Sequence, residues 1–359
     1  LYLCKWGGSP VEQLTVQGNG VYIGPGALLR AGGLLRQHVP AVSRWAVAAD
    51  ESVAALYGDA ALSALHSAGL EAELYLLPAG ERAKTPEVWL SLCRRLVADG
   101  FRRGGGIVSL GGGACGDMAG FAASTLLRGV ALAHLPTTLL AQTDSAIGGK
   151  TGLDLPEGKN LLGTFCPPAL VVSDTACLAT LPPRQFASGM AEVIKYGCIA
   201  DASLLDAAER GVSADDGPAL ASLAARCCRS KAVLAEQDPY DRGVRHLLNF
   251  GHTFGHAYEA LGGFETYTHG EAVAAGMIRV LRWQLAHGYG GEALLDRLTR
   301  LLPRYGLPLD IPCDETALRR WLTRDKKAEG DQVTLALAEK AGQGRLVTVP
   351  LASLWEDTP

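Results

Sequence analysis

Charged residues make up only 19% of the 359-residue chain and nearly cancel, with 33 Lys and Arg against 37 Asp and Glu for a formal charge of −4. That balance excludes a nucleic-acid scaffold and a polybasic membrane anchor, and leaves any basic clustering local. The nine cysteines are odd in number, scattered and never spaced as C-x-x-C, which argues against both a disulfide framework and a thiolate zinc site. A reducing cytoplasm is the compartment that fits. No apolar run reaches the roughly 18 residues needed to span a bilayer, and the first residues lack the basic, apolar and small-residue order of a secretory signal. No internal repeat or low-complexity tract is present. What the chain does have is 48% hydrophobic residues, enough for a large core, at a length where two domains are expected.

In the first half, short apolar runs at Arg44 to Ala49, Glu71 to Leu77, Gly106 to Leu110, Val130 to Leu135 and Ala169 to Ser173 read as strands. Amphipathic stretches such as Thr85 to Ala98 lie between them, and this alternation predicts a largely parallel α/β sheet. After Leu181-Pro182-Pro183 the period changes to 3.6, over Gln185 to Ile199, Ala219 to Ala235, Val244 to Ala260, Glu271 to Leu285 and Leu294 to Leu302. Short alternations at Val333 to Leu337 and Leu346 to Val349 suggest returning strand. The expected organisation is an α/β domain over 1–181 and a mainly helical domain over 182–359.

Three segments carry chemistry. Ile107 to Asp117 runs from a strand into a helix through a G-x-G-x-x-G match at Gly111, Gly113 and Gly116, where a backbone without side chains and a helix N-terminus suit a pyrophosphate. Taken alone, the triplet is equally a tight turn with no ligand. Asp50 lies upstream of it, whereas the usual ribose-binding acid lies downstream. Between Pro136 and Asn160, Asp144, Lys150, Lys159 and Asn160 stand among glycines and hydroxyl residues, a setting for phosphate or hydroxyl binding or simply for a solvated loop. Four of the eight histidines crowd into His246, His252, His256 and His269. His252 and His256, four apart, share a helix face; His269 and Glu192 are candidates to complete a set of two histidines and a carboxylate, a catalytic zinc pattern with an open position. Thr253 stands where a zinc protease would carry its glutamate, so that reading loses its base.

The successive segments GGGACGDMAGF, PTTLLAQTDSAIGGKTG, GKNLLGTF, TLPPRQFASGMAEVIKYG, NFGHTFGHAYEA, HGEAVAAGM and RDKKAEG, spanning 111 to 330, resemble in order the signatures of the 3-dehydroquinate synthase family of sugar-phosphate cyclases. The resemblance implies an N-terminal α/β NAD-binding domain, a helical zinc-binding domain, an active site in the cleft between them, and a homodimer. It assigns zinc, with cobalt as an alternative, to Glu192, His252 and His269. NAD contacts fall to Asp50, Glu81, Lys84, Gly112, Gly113, Asp117, Thr137, Thr138 and Lys159. Substrate binding falls to Arg128, Asn160, Arg245, Asn249 and Lys327, and catalysis to Asp144, Lys150, Lys195, Lys231, Asp241 and His256.

The implied reaction turns 3-deoxy-D-arabino-heptulosonate 7-phosphate into 3-dehydroquinate and phosphate by oxidation, elimination, re-reduction and aldol closure, with NAD recycled. No nucleic-acid or membrane partner is implied. Competing readings are a sister cyclase acting on sedoheptulose 7-phosphate or on an amino analogue, and a metal-dependent alcohol dehydrogenase, against which the lysine and arginine set argues. Three positions depart from the family pattern: Ala146 replaces a usual serine, Gln185 a usual glutamate, and Asp241 a glutamate four residues before Arg245.

Overall fold

A computed structural model describes residues 2–6, 9–324, 328–329 and 331–355. The chain forms two compact units, one comprising Leu1–Leu181 with Ser213–Ala232, the other Pro182–Val212 with Val233–Pro359. The helical domain anticipated at 182–359 therefore gives up one stretch to the first unit. The reason is a helix face: in Gly217–Gln237, residues Ala221, Ala224, Ala225, Cys228 and Ala232 recur at helical spacing and pack with Val16, Val21, Ile23 and Val171 of the sheet.

The first unit is built on an eight-stranded sheet. Its strands are β1 (Tyr2–Trp6), β2 (Ser9–Val16), β3 (Asn19–Ile23), β4 (Arg44–Asp50), β5 (Glu71–Leu77), β6 (Gly106–Gly111), β7 (Ala131–Pro136) and, after a hairpin of β8 (Lys150–Leu155) and β9 (Gly158–Phe165), β10 (Leu170–Ser173). Their order is β1-β2-β3-β10-β7-β6-β4-β5, antiparallel among the first three and parallel from β3 onward. The period-2 alternation of β4 decides its two faces: Trp45, Val47 and Ala49 join one core with Ala61 and Leu65 of the helix Asp59–Ser67, while Ala46 and Ala48 join another with Leu92, Met118 and Ala119 of the helices Pro86–Ala98 and Gly113–Thr125. The crossovers from β4 and from β6 thus lie on opposite faces. Between the carboxyl ends of these adjacent strands is a topological switch point, where α/β sheets bind ligands.

The second unit carries the helices Pro183–Ile199, Ser203–Arg210, His252–Leu261, His269–Ala286, Glu292–Leu301 and Glu315–Arg324, with an antiparallel sheet of β11 (Ala328–Glu329), β12 (Gln332–Lys340) and β13 (Gln343–Pro350). Val244 to Ala260, expected as one helical segment, is broken. A 3-10 turn covers Val244–Asn249, and an α-helix begins afresh at His252. Gly251 makes the break with φ 79°, a conformation L side chains avoid, and a Cβ there would lie 2.6 Å from Met277 and 2.7 Å from the Val273 carbonyl. Among the described residues, no helix is long and apolar enough to cross a membrane.

Candidate active site

Three helices of the second unit converge on one group of side chains. The first, Pro183–Ile199, carries Glu192 fully buried; the second begins with His252, and the third with His269 behind a Thr268–Glu271 capping box. Glycines let these backbones touch: a Cβ on Gly270 would lie 2.3 Å from the Ser188 carbonyl, and one on Gly276 2.0 Å from that of Gly251. Glu192 Oε1 then lies 3.5 Å from His252 Nε2 and 3.3 Å from His269 Nε2. A tetrahedral ion with bonds of about 2.0–2.1 Å has ligand-to-ligand edges of about 3.4 Å, so the donor set fits a zinc-like cation. These three residues form the one such group among the described residues.

Each donor is oriented from behind. His252 Nδ1 meets the Phe250 carbonyl at 3.1 Å and His269 Nδ1 meets the Glu259 carboxylate at 3.2 Å, so both rings turn Nε2 toward Glu192. Glu192 Oε2 faces the buried Lys195 ammonium at 2.5 Å. Burial, reinforced by Lys195, pushes the His252 imidazole down to about 3 despite Glu192. Burial acts the same way on His269, but the Glu259 and Glu192 carboxylates outweigh it and hold that ring at about 10. His252 is therefore a ready neutral donor, and His269 holds a proton that a cation would displace. The His256 ring stands 5.4 Å from that of His252 and 6.3 Å from that of His269.

In the first unit, Asp50 ends β4 and Gly111 ends β6, with Gly112 next as the cap of the following helix, which places all three at the switch point. The acid lies on the neighbouring strand, as in an ordinary dinucleotide fold, because the sheet order brings β4 beside β6; its upstream position in sequence is a permutation. A Cβ on Gly111 would lie 3.6 Å from Asp50 Oδ2. The helix Gly113–Thr125 starts without a capping side chain, leaving first-turn amides for an anion. Thr137 and Thr138 follow β7, Thr137 N–H donating to the Gly111 carbonyl at 3.0 Å and Thr138 Oγ1 accepting from Ala141 N–H at 3.2 Å. Lys84 meets Asp117 and Asn160, Lys159 lies 3.8 Å from Glu81, and Lys231 meets the Asp144 carboxylate at 3.0 Å.

The remaining assigned residues lie on other elements of the two units. Arg128 is exposed at the end of a turn with φ 67°, and Lys150 opens β8, also exposed. Arg245 and Asn249 belong to the 3-10 turn Val244–Asn249; Arg245 is buried, with its Nη1 donating to the Pro239 carbonyl at 3.2 Å. Asp241 takes φ 56° in the preceding loop, where Asp238 accepts from the N–H groups of Arg242, Gly243 and Arg245. Lys327 lies outside the described residues. The stretch Lys150 to Asn160, open to reading as a loop, forms most of the β8–β9 hairpin. Sequence reasoning missed Glu259, though it follows His252 by seven residues and His256 by three on one helix face, and it missed Asp154, a carboxylate inside the glycine-rich segment.

A switch point suited to a dinucleotide in an α/β unit, and a His-His-Glu group spaced for a metal in a helical unit, fit the class of metal- and NAD-dependent enzymes. Within that class the match is specific. The 3-dehydroquinate synthase N-terminal model covers residues 74–188 and the C-terminal model residues 189–328. The chain is 44% identical over 329 residues to 3-dehydroquinate synthase of Symbiobacterium thermophilum, covering 90% of this chain and 92% of that one. It is 45% identical over 289 residues to the enzyme of Pelobacter propionicus, covering 79% and 80%. The chain belongs to the 3-dehydroquinate synthase family. Among solved structures, 2-deoxy-scyllo-inosose synthase complexed with carbaglucose-6-phosphate, NAD+ and Co2+ superposes with a TM-score of 0.84 at 27% identity over 96% of this chain and 98% of that one. A 2-epi-5-epi-valiolone synthase from Streptomyces hygroscopicus with NAD+ and Zn2+ bound gives 0.84 at 28%, covering 96% of each chain.

Proposed function

We propose that the chain converts 3-deoxy-D-arabino-heptulosonate 7-phosphate into 3-dehydroquinate and inorganic phosphate in the cytoplasm, as a homodimer, with NAD and one divalent cation. The observation that carries this reading is the Glu192–His252–His269 group, with donor spacing suited to zinc or cobalt and Lys195 on the second oxygen of Glu192. When bound, NAD would supply reversible hydride transfer, and the cation Lewis-acid polarisation of the substrate hydroxyls.

The chain's own residues do the rest. Asp50 accepts hydrogen bonds from ribose hydroxyls, and Gly112–Gly113 with the first-turn amides receive the pyrophosphate; Thr137, Thr138, Glu81, Asp117 and Lys159 line the same cofactor. Lys195 and Lys150 place ammonium charge where an alkoxide develops, and His256 moves a proton there. Arg245, Asn249, Lys327 and Arg128 hold the phosphate, the guanidiniums by forked contact. Lys231 orients Asp144. Asp241 is one methylene shorter than the glutamate the family pattern carries, and no acid–base step is routed through it.

The test is product analysis. The purified protein should yield a carbocycle and phosphate from the heptulosonate phosphate and none from sedoheptulose 7-phosphate; comparable turnover of the second substrate would overturn the reading. Sedimentation at micromolar concentration should give twice the chain mass, and a monomer would remove the homodimer from it.

A further inference from the structure

Two groups assigned to different ligands meet in one hydrogen bond, the lysine buried and the asparagine exposed. Lys84, following the turn Gly80–Ala83, is expected at NAD, and Asn160, in β9, at the substrate. The Lys84 ammonium, whose residue is only 3% exposed, donates to Asn160 Oδ1 at 2.6 Å and to Asp117 Oδ2 at 2.9 Å, with the carboxylates of Asp154 and Glu81 at 3.7 and 3.9 Å. An ammonium has three protons, and two are already committed to protein acceptors. Burial disfavours its charge, but the surrounding carboxylates of Asp117, Glu81 and Asp154 outweigh that and hold it above the usual lysine range.

Asn160, though exposed, is tied to the same segment through its backbone. Its backbone is left-handed at φ 55°, its N–H donates to Asp154 Oδ1 at 2.8 Å, and the N–H of Asp154 donates to the Lys84 carbonyl at 2.7 Å. Lys84, Asn160 and Asp154 therefore close a ring of hydrogen bonds that ties the turn after β5 to the β8–β9 hairpin.

We infer that Lys84 is a positioning residue, acting on the substrate through the side chain of Asn160 rather than through direct contact with NAD alone. The inference rests on the proposed reading in which Asn160 meets the substrate. Whatever orders the Glu81–Lys84 turn also orders Asn160, so NAD and substrate share part of their binding free energy reciprocally.

The experiment is calorimetric titration of NAD, and of a methylene-phosphonate analogue of the heptulosonate phosphate on NAD-saturated protein. The proteins are the parent, Lys84→Met, Asn160→Gly and the double variant. Glycine retains the left-handed backbone while deleting the amide. Lys84→Met should weaken the analogue roughly tenfold or more even at saturating NAD, the scale of a charged hydrogen bond. Asn160→Gly should cost a similar factor, and the double variant should bind no worse than the weaker single one, because both substitutions remove the same contact. Analogue affinity in Lys84→Met within twofold of the parent, or losses that multiply in the double variant, would overturn the inference. A parent protein that does not bind the analogue would instead overturn the functional reading. If Lys84→Met fails to fold, Lys84→Arg completes the cycle: its broader head should lose analogue affinity only when Asn160 is present, and equal losses in both backgrounds would mark a purely structural lysine.

Discussion

Replacing Gly270 with alanine should damage the metal site without touching a ligand. Gly270 follows His269 in its helix and donates its N–H to Ser188 Oγ at 2.9 Å. A Cβ there would fall 2.3 Å from both the Ser188 Cα and its carbonyl oxygen. Carbon atoms rest comfortably at about 3.5–4.0 Å, so the two helices must part by about 1 Å. Glu192 lies one turn beyond Ser188, and its Oε1 is 3.3 Å from His269 Nε2. A shift of that size removes His269 from the roughly 3.4 Å edge a tetrahedral ion requires.

The sign of the stability change is diagnostic, because in a helix alanine is intrinsically better than glycine by up to about 1 kcal/mol. Overpacking should reverse this to a net loss of about 1–3 kcal/mol, read from urea unfolding. Zinc affinity, measured by chelator competition, should fall at least tenfold. A variant as stable as the parent or more so, with parental zinc affinity, would refute the close approach and the site built on it.

Glu259→Gln keeps the shape behind His269 but removes the charge, and should lower zinc affinity by about 10- to 100-fold in the same competition assay; an unchanged affinity would deny Glu259 that role. Arg245→Gln should weaken binding of the phosphorylated substrate by about 1.5–3 kcal/mol and reduce inhibition by inorganic phosphate, and parental values for both would move the phosphate elsewhere. His134 is buried beside Ser109, 2.6 Å from Nδ1 to Oγ, and burial lowers its pKa to about 4. The unfolded chain takes a proton near pH 6.5 that the folded chain refuses, so this contribution is complete above pH 6.5 and lost as pH falls toward 4, roughly 3 kcal/mol in all. His134→Gln should flatten that part of the pH–stability curve, and an identical acid slope would refute the assignment.

Five of the six parallel strands, β4 to β7 and β10, were legible because each is a short apolar run between turn signals, whereas β3 was not read; His252 and His269 stood out because histidines crowd where little else explains them. Other features depend on contacts that sequence spacing does not encode. The break at Gly251 inside an apparently continuous 3.6 period follows from the nearness of Met277, and the return of Ser213–Ala232 to the first unit from the sheet it packs on. Asp50 looked misplaced because the order of strands in a sheet is not their order in the chain. Asp154 was passed over because a carboxylate in a glycine-rich turn has the composition of a solvated loop, and its value emerges only where β8 folds back on the Lys84 turn.

NAD turnover tests the cyclase reading most directly, since a dehydrogenase releases one NADH for each substrate oxidised whereas a cyclase must return the hydride to the carbon that lost it. With NAD far below substrate, phosphate release should run to completion with no net rise in NADH absorbance, and deuterium at the oxidised carbon should remain in the carbocyclic product. Stoichiometric accumulation of NADH, with the deuterium lost to the cofactor pool, would contradict the cyclase reading and restore the dehydrogenase.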